Sequence, residues 1–196
     1  MHVGIYGGSF DPVHLGHLAV ADAAHEQLPI DQLRWMPVGS PWQKTRALAT
    51  AIHRVAMLRL ALEGTSDTID ERETMRRGPT YTIDTLDALA LEMPAHKWML
   101  VIGQDQYARF QTWHRWRDII ARAVLAVVAR DGEAPTTTDE VSAAIADARR
   151  RVHVLRMRPV PVSSTLIRQR IARGESIIDM VPAKVAGYID QHGLYR

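Results

Sequence analysis

The chain contains no cysteine. That excludes disulfides, thiolate metal centres and thiol nucleophiles together. It also lacks any apolar run approaching the ~20 residues that a membrane span requires, and it begins without a charged-then-apolar leader pattern. A cytoplasmic protein with no membrane partner is the expectation. Lysine is scarce: of 24 basic residues only Lys44, Lys97 and Lys184 are lysine. Arginine supplies the rest, and its planar fork suits phosphate and carboxylate groups. No stretch interleaves basic residues with aromatics, so a nucleic-acid partner is not expected. Internal repeats and low-complexity tracts are absent as well.

What is present suits one globular core. At 196 residues, 46% of them apolar and 23% charged, the chain has ordinary globular composition. Apolar runs at 2–7, 33–38, 97–103 and 123–129 read as buried strands, and a short strand is expected at 68–70. Helical periodicity covers 15–28, 51–64, 82–92, 140–150, 163–174 and 182–191. "VHVLRM" with "PVPV" reads as an edge strand interrupted by prolines, and 132–139 as a flexible loop. Strands alternating with helices predict a single α/β domain over residues 1–196. Its expected form is a Rossmann-like, doubly wound, mainly parallel sheet with helices on both faces. Ligands in such sheets gather at the carboxyl ends of strands, where strand order reverses.

Two motifs end strands in this way. The first is "GGSFDPVHLGH", residues 7–17, after the first strand; the second is "GQD", residues 103–105, after the most apolar one. In the first, Gly7 and Gly8 are expected to form a tight turn that lets backbone N–H groups approach a ligand. A helix starting near Leu15 would aim its N–H groups and positive dipole end at the same space. His14 and His17 then flank a bound phosphate, and Gly16 leaves room for a flat ligand group. Two other readings stand beside this one. Histidines at i, i+3 suit a metal, but no third ligand follows at matching spacing. Capping or packing alone would also place histidines here. Neither the Walker pattern nor GxGxxG is present.

"GGSFDPVHLGH" resembles the signature of the nucleotidyltransferase superfamily, whose H-x-G-H element binds nucleoside triphosphate. A second element of that superfamily, similar to I-S-S-T-x-x-R, appears as "VSSTLIR", residues 162–168. Ser164 and Thr165 there offer hydroxyls and N–H groups at a helix start, and Arg168 sits one turn in. More closely, "PTYTIDTL" (79–86), "IGQDQYARFQTWHRW" (102–116) and "YIDQHGLYR" (188–196) resemble the bacterial nicotinate-nucleotide adenylyltransferase family, end to end. Where that family usually has a P-P-H-K-like loop, this chain has "SPWQK": Lys44 aligns, while Trp42 and Gln43 replace proline and histidine.

The resemblance implies joining of ATP and nicotinate mononucleotide to give nicotinate adenine dinucleotide and pyrophosphate. It implies an ATP site over Gly7, Gly8, Ser9, Phe10, His14, His17, Gly103, Asp105, Ser164, Thr165 and Arg168. His17 would serve the α-phosphate, His14 the triphosphate, and Lys44 and Arg168 its β/γ side. Asp105 would contact ribose or adenine. An acceptor pocket is expected from Thr80, Tyr81, Thr82, Trp113 and His114, with Trp113 stacking on the pyridine ring. Main-chain N–H groups near Thr82 and His114 would hold the ring carboxylate. Mg²⁺ would travel with ATP, with no protein metal site. Competing expectations are a preference for nicotinamide mononucleotide or pantetheine phosphate, and a nucleotide-binding regulatory module without turnover. The oligomeric state stays open between monomer and homodimer.

Overall fold

The computed structural model describes residues 1–39, 48–129 and 134–196. Trp42, Gln43 and Lys44 lie outside the described residues. Six strands, His2–Gly8 (β1), Gln32–Pro37 (β2), Thr68–Ile69 (β3), Lys97–Gly103 (β4), Ala123–Ala129 (β5) and His153–Arg156 (β6), form one sheet. All pairings are parallel, and the order is β3-β2-β1-β4-β5-β6. The described helices are Leu15–Gln27 (α1), Ala51–Ala61 (α2), Thr82–Glu92 (α3), Gln104–Tyr107 (α4), Trp116–Arg122 (α5), Asp139–Asp147 (α6), Ser164–Ala172 (α7) and Ala183–Gln191 (α8). A 3₁₀ turn at Phe110–Thr112 precedes α5.

The apolar runs are continuous because both sheet faces are covered. On β4, Trp98, Leu100 and Ile102 join a core with Ile83, Leu86 and Leu89 of α3 and Ile119 of α5. Met99 and Val101, one residue out of phase, join the opposite core with Ala21 and Ala24 of α1, Met57 and Leu58 of α2, and Val185 of α8. The sheet is thus doubly wound, as the alternation of elements predicts.

The chain builds outward from β1 to β2 and β3, then returns past β1 to lay down β4. Neighbouring connections therefore leave the carboxyl ends of β1 and β4 in opposite directions, and a crevice opens between them. At the other end of the sheet order, β6 exposes an edge, and the Gln27 side chain occupies it. Its Nε2 donates to the Arg156 carbonyl at 2.8 Å, and its Oε1 accepts from the Arg156 N–H at 3.0 Å. An amide side chain here takes the place of a further strand.

Several expected elements shift. "PVPV" is not strand: β6 stops at Arg156, since proline cannot donate to a ladder. Residues 104–122 contain α4, the 3₁₀ turn and α5. Each is too short to show two turns of periodicity. Trp116 begins α5, and Trp113 lies just before it, after the 3₁₀ turn. The described part of the expected 132–139 loop is tied to α4: the Thr137 hydroxyl donates to the Tyr107 carbonyl at 2.9 Å and Gln104 Nε2 to the Thr136 carbonyl at 2.9 Å. Thr138 then caps α6 through the Val141 N–H.

Leu89 is fully enclosed on the buried stripe of α3, away from the crevice. Leu89→Ala is expected to lower the unfolding free energy by about 2–5 kcal/mol in urea titrations, by transfer plus cavity terms, without altering ligand affinity.

Candidate active site

The loop from β1 to α1 is built around two buried side chains. Phe10 is fully enclosed and takes a left-handed backbone, with φ 46°. Its ring lies edge-on to Tyr6 at 5.6 Å and to His17 at 5.1 Å. With that ring buried, a contact of Phe10 with ATP would run through its backbone. Gly8 is needed because of this ring, since a Cβ would lie 2.8 Å from Phe10 Cζ. Neither Gly7 nor Gly8 has positive φ; both are extended within β1, so the expected glycine turn falls on Phe10 instead. Gly7 faces open space along the crevice, where a Cβ would meet nothing within 4 Å.

Asp11 is the second buried side chain. Its Oδ1 accepts from the Tyr195 hydroxyl at 2.7 Å and the Ala49 N–H at 3.1 Å. Arg54, also buried, donates to the Ser9 carbonyl at 2.9 Å and the Ala49 carbonyl at 3.0 Å. Burial pushes the Arg54 guanidinium down in pKa, and the Asp11 charge opposes that shift. Arg54 lies outside every motif, and Tyr195, though inside "YIDQHGLYR", is given no role by it. A signal for Arg54 exists, because it falls in phase with the apolar Met57, Leu58 and Ala61 on α2.

His14 is the N-cap residue of α1 and His17 its third residue. Their rings stack at 3.7 Å, inclined by 25°. The His14 N–H donates to His17 Nδ1 at 3.2 Å, which leaves the proton of a neutral His17 ring on Nε2. Gly16 serves this stack rather than a ligand. A Cβ there would sit 3.1 Å from His14 Nδ1 and 3.5 Å from Val162, so the space attributed to a ligand group is taken by the His14 ring. His14 is 8% exposed, its Nδ1 finds no partner among the described residues, and burial lowers its pKa from 6.5 to about 4. The ring is therefore neutral at pH 7.

The two motifs, 145 or more residues apart in sequence, meet in space. The Ser164 hydroxyl donates to the Pro12 carbonyl at 2.9 Å. Arg168 Nη1 donates to the Asp11 carbonyl at 2.6 Å, with the Asp11 carboxylate 4.0 Å away, and Nη2 donates to the Thr165 hydroxyl at 3.1 Å. Ser163, not Ser164, caps α7, accepting from the Leu166 N–H at 3.1 Å. The amino ends of α1 and α7 thus share one anchored loop, a setting suited to anions.

A cavity of about 270 Å³ opens beside this loop, between the ends of β1 and β4. Gly7, Gly8, Ser9 and Gly103 border it, and Thr80, Tyr81, Thr82, Trp113 and His114 all line its other side. The rings of Tyr81 and His114 lie 4.5 Å apart. Trp113 Nε1 and the Thr80 hydroxyl are buried without partners among the described residues. Tyr81 is the N-cap of α3 and makes no side-chain cap hydrogen bond, and Thr82, the first residue of that helix, lines the cavity. Asp105 does not line it; it lies in the first turn of α4, exposed, on a second and more open cleft that shares Gly103. That cleft lies at the ends of β4 and β5, bordered by Val128 and Met157. Among the described residues no group of three His, Asp or Glu side chains is placed to hold a metal ion. No described helix is long and apolar enough to cross a membrane.

Residues 5–170 match the cytidylyltransferase-like family. A relative from Methylibium petroleiphilum, named "Probable nicotinate-nucleotide adenylyltransferase", is 48% identical over 98% of this chain and 92% of its own length. The chain belongs to the nicotinate-nucleotide adenylyltransferase family. A second relative of the same name, from Bordetella petrii, is 44% identical over 99% of this chain and 98% of its own. In fold, the chain is similar to the solved Plasmodium falciparum nicotinic acid mononucleotide adenylyltransferase in complex with NaAD. The TM-score is 0.81 at 17% identity, covering 99% of this chain and 97% of that one. Membership of this family makes the chain an enzyme of the nucleotidyltransferase class.

The depressed His14 pKa has a consequence for stability. Between pH 6.5 and about 4 the unfolded chain protonates His14 while the folded chain does not, so stability is full above 6.5 and falls as pH drops through that window. The loss amounts to about 3 kcal/mol at its fullest. Urea midpoints measured against pH are expected to show this acid limb in the wild type and a flatter one in His14→Asn; identical limbs would remove His14 as its source.

Proposed function

We propose that the protein transfers the adenylyl group of ATP to nicotinate mononucleotide, releasing pyrophosphate and forming nicotinate adenine dinucleotide. The observation that carries this reading is the hydrogen-bonded junction of the His14–His17 and Ser164–Arg168 helix starts beside a cavity with aromatic walls. The junction gathers two helix amino ends, a guanidinium and an imidazole donor, a set suited to a triphosphate. The acceptor's phosphate oxygen is already anionic at neutral pH, so attack on the α-phosphorus in line needs neither a general base nor a covalent enzyme intermediate. Catalysis then consists of positioning and stabilising the charge that grows on the α-phosphate and the leaving pyrophosphate.

In this reading the His17 Nε2–H donates to the α-phosphate. His14, neutral and buried, holds His17 through its backbone N–H and offers its own ring to the triphosphate as a hydrogen-bonding group. Arg168 and Lys44 serve the β/γ side, and Mg²⁺ enters as part of the Mg–ATP substrate. Gly7, Gly8, Ser9, Ser164 and Thr165 supply close backbone or hydroxyl contacts, and Gly103 and Asp105 border the nucleoside. The acceptor ring fits between Trp113 and the Tyr81–His114 wall. Its carboxylate is drawn to the amino end of α3 at Thr82. A neutral carboxamide would gain less from that dipole, which favours the acid over the amide. A reaction drawing on ATP fits a cytoplasmic enzyme.

His17→Ala is expected to lower kcat about 100-fold or more, measured as pyrophosphate release, with an unchanged far-UV circular dichroism spectrum. Near-wild-type turnover would remove His17 from the reacting phosphate. Rates with Mg–ATP on nicotinate mononucleotide, nicotinamide mononucleotide and phosphopantetheine are expected to favour the first. Preference for the amide overturns the acceptor assignment, and no pyrophosphate on any of the three overturns the enzyme reading.

A further inference from the structure

The cavity contains one carboxyl group among its described lining residues, that of Glu73, and the reading above gives it no task. Glu73 is 7% exposed and comes from the segment between β3 and α3, away from every motif. The Thr85 hydroxyl donates to its Oε1 at 2.8 Å, and Arg76 Nη1 donates to that same hydroxyl at 2.7 Å. Thr85 is itself buried, one turn into α3, directly behind the helix start that the acceptor carboxylate is argued to face. The carbonyl of Glu73 presses on Gly39 at the exit of β2, where a Cβ would lie 2.1 Å from it. The Thr80 hydroxyl lies 3.3 Å from the same point.

These contacts make a bracket. Gly39, having no Cβ, lets the Glu73 carbonyl pack close against it, the Arg76–Thr85–Glu73 chain ties that segment to α3, and Thr80 and Tyr81 are carried between these two contacts. Burial raises the Glu73 pKa, while Thr85 and Arg76 oppose the rise, so holding an acid here is costly. An apolar side chain would brace the segment at less expense. A hydrogen-bond acceptor at this point does something an apolar residue cannot: it orients the Thr85 hydroxyl, and with it the spacing between Thr80 and the first turn of α3.

We propose that Glu73 is a positioning residue for the acceptor, acting through Thr85 and Arg76 to set the Thr80–Thr82 wall of the cavity. The inference rests on the adenylyltransferase reading and deepens it, because it assigns the acceptor side alone to this bracket. The triphosphate junction at Ser164 and Arg168 draws on none of these residues.

Steady-state kinetics of Glu73→Ala, Glu73→Gln and Thr85→Val, each with a melting curve, test the proposal. Glu73→Ala is expected to raise KM for the acceptor about tenfold or more, with kcat and the KM for Mg–ATP within about threefold of wild type. Glu73→Gln keeps an oxygen that accepts from Thr85, so its acceptor KM is expected to return to within about threefold of wild type. Thr85→Val is expected to follow Glu73→Ala and carries the test if Glu73→Ala does not fold. An acceptor KM unchanged in both Glu73→Ala and Thr85→Val overturns the proposal. So do parallel rises in both KM values, a fall in kcat alone, or a glutamine variant no better than alanine. If the wild type prefers another of the three acceptors, the acceptor assignment fails and the same split is read with that acceptor. If it turns over none, the reading of the site falls and this inference with it.

Discussion

The buried Asp11 carboxylate is the constraint on which the site is built. It sits under the β1–α1 loop with the Tyr195 hydroxyl and the Ala49 N–H on one oxygen and the Arg168 guanidinium 4.0 Å from the other. Arg54, buried with it, holds the loop from beneath through the Ser9 carbonyl. Buried charges contribute little net stability over well-packed apolar residues, yet removing one partner leaves the other unpaired at a cost of several kcal/mol. Such a network specifies geometry more than it adds stability. It holds Phe10 in a left-handed conformation that a bulky residue would not adopt unaided. It also fixes where His14 and His17 stand relative to α7.

Chain connectivity explains why this loop lies where chemistry is possible. Because β4 is placed on the far side of β1 from β2, the crevice between β1 and β4 is left uncovered at the carboxyl ends of both strands. The start of α3 lines the resulting space, and the starts of α1 and α7 meet on the loop beside it. Each brings a positive dipole end, so the crevice favours anions at two separated places without any lysine among the described residues lining it. The scarcity of lysine in the composition fits a site whose described parts rely on helix ends, arginine and imidazole.

Much of this was legible beforehand, for identifiable reasons. Long strands such as β4 and β5 show in sequence because burial on both faces demands unbroken apolar runs. The pairing of "GGSFDPVHLGH" with "VSSTLIR" was legible only through the family resemblance, since "VSSTLIR" alone reads as an ordinary capped helix start. Helices of four and seven residues, α4 and α5, were not, since their burial is set by neighbours and not by their own periodicity. Gly16 was misread for a related reason: sequence shows that a side chain is missing, but not whether a ligand or the His14 ring fills the space.

By itself, then, the sequence determined the alternation of strands and helices, the covering of both sheet faces, and the residue types gathered at two helix starts. These follow from local periodicity and capping chemistry, which depend on near neighbours along the chain. Tertiary structure alone decided that Arg168 reaches the Asp11 carbonyl, that Tyr195 closes over Asp11, that His14 is buried and neutral, and that Glu73 enters the cavity behind Thr85. Each depends on groups brought together by the folding of distant segments, and desolvation and hydrogen bonding between them exist only once the sheet is assembled.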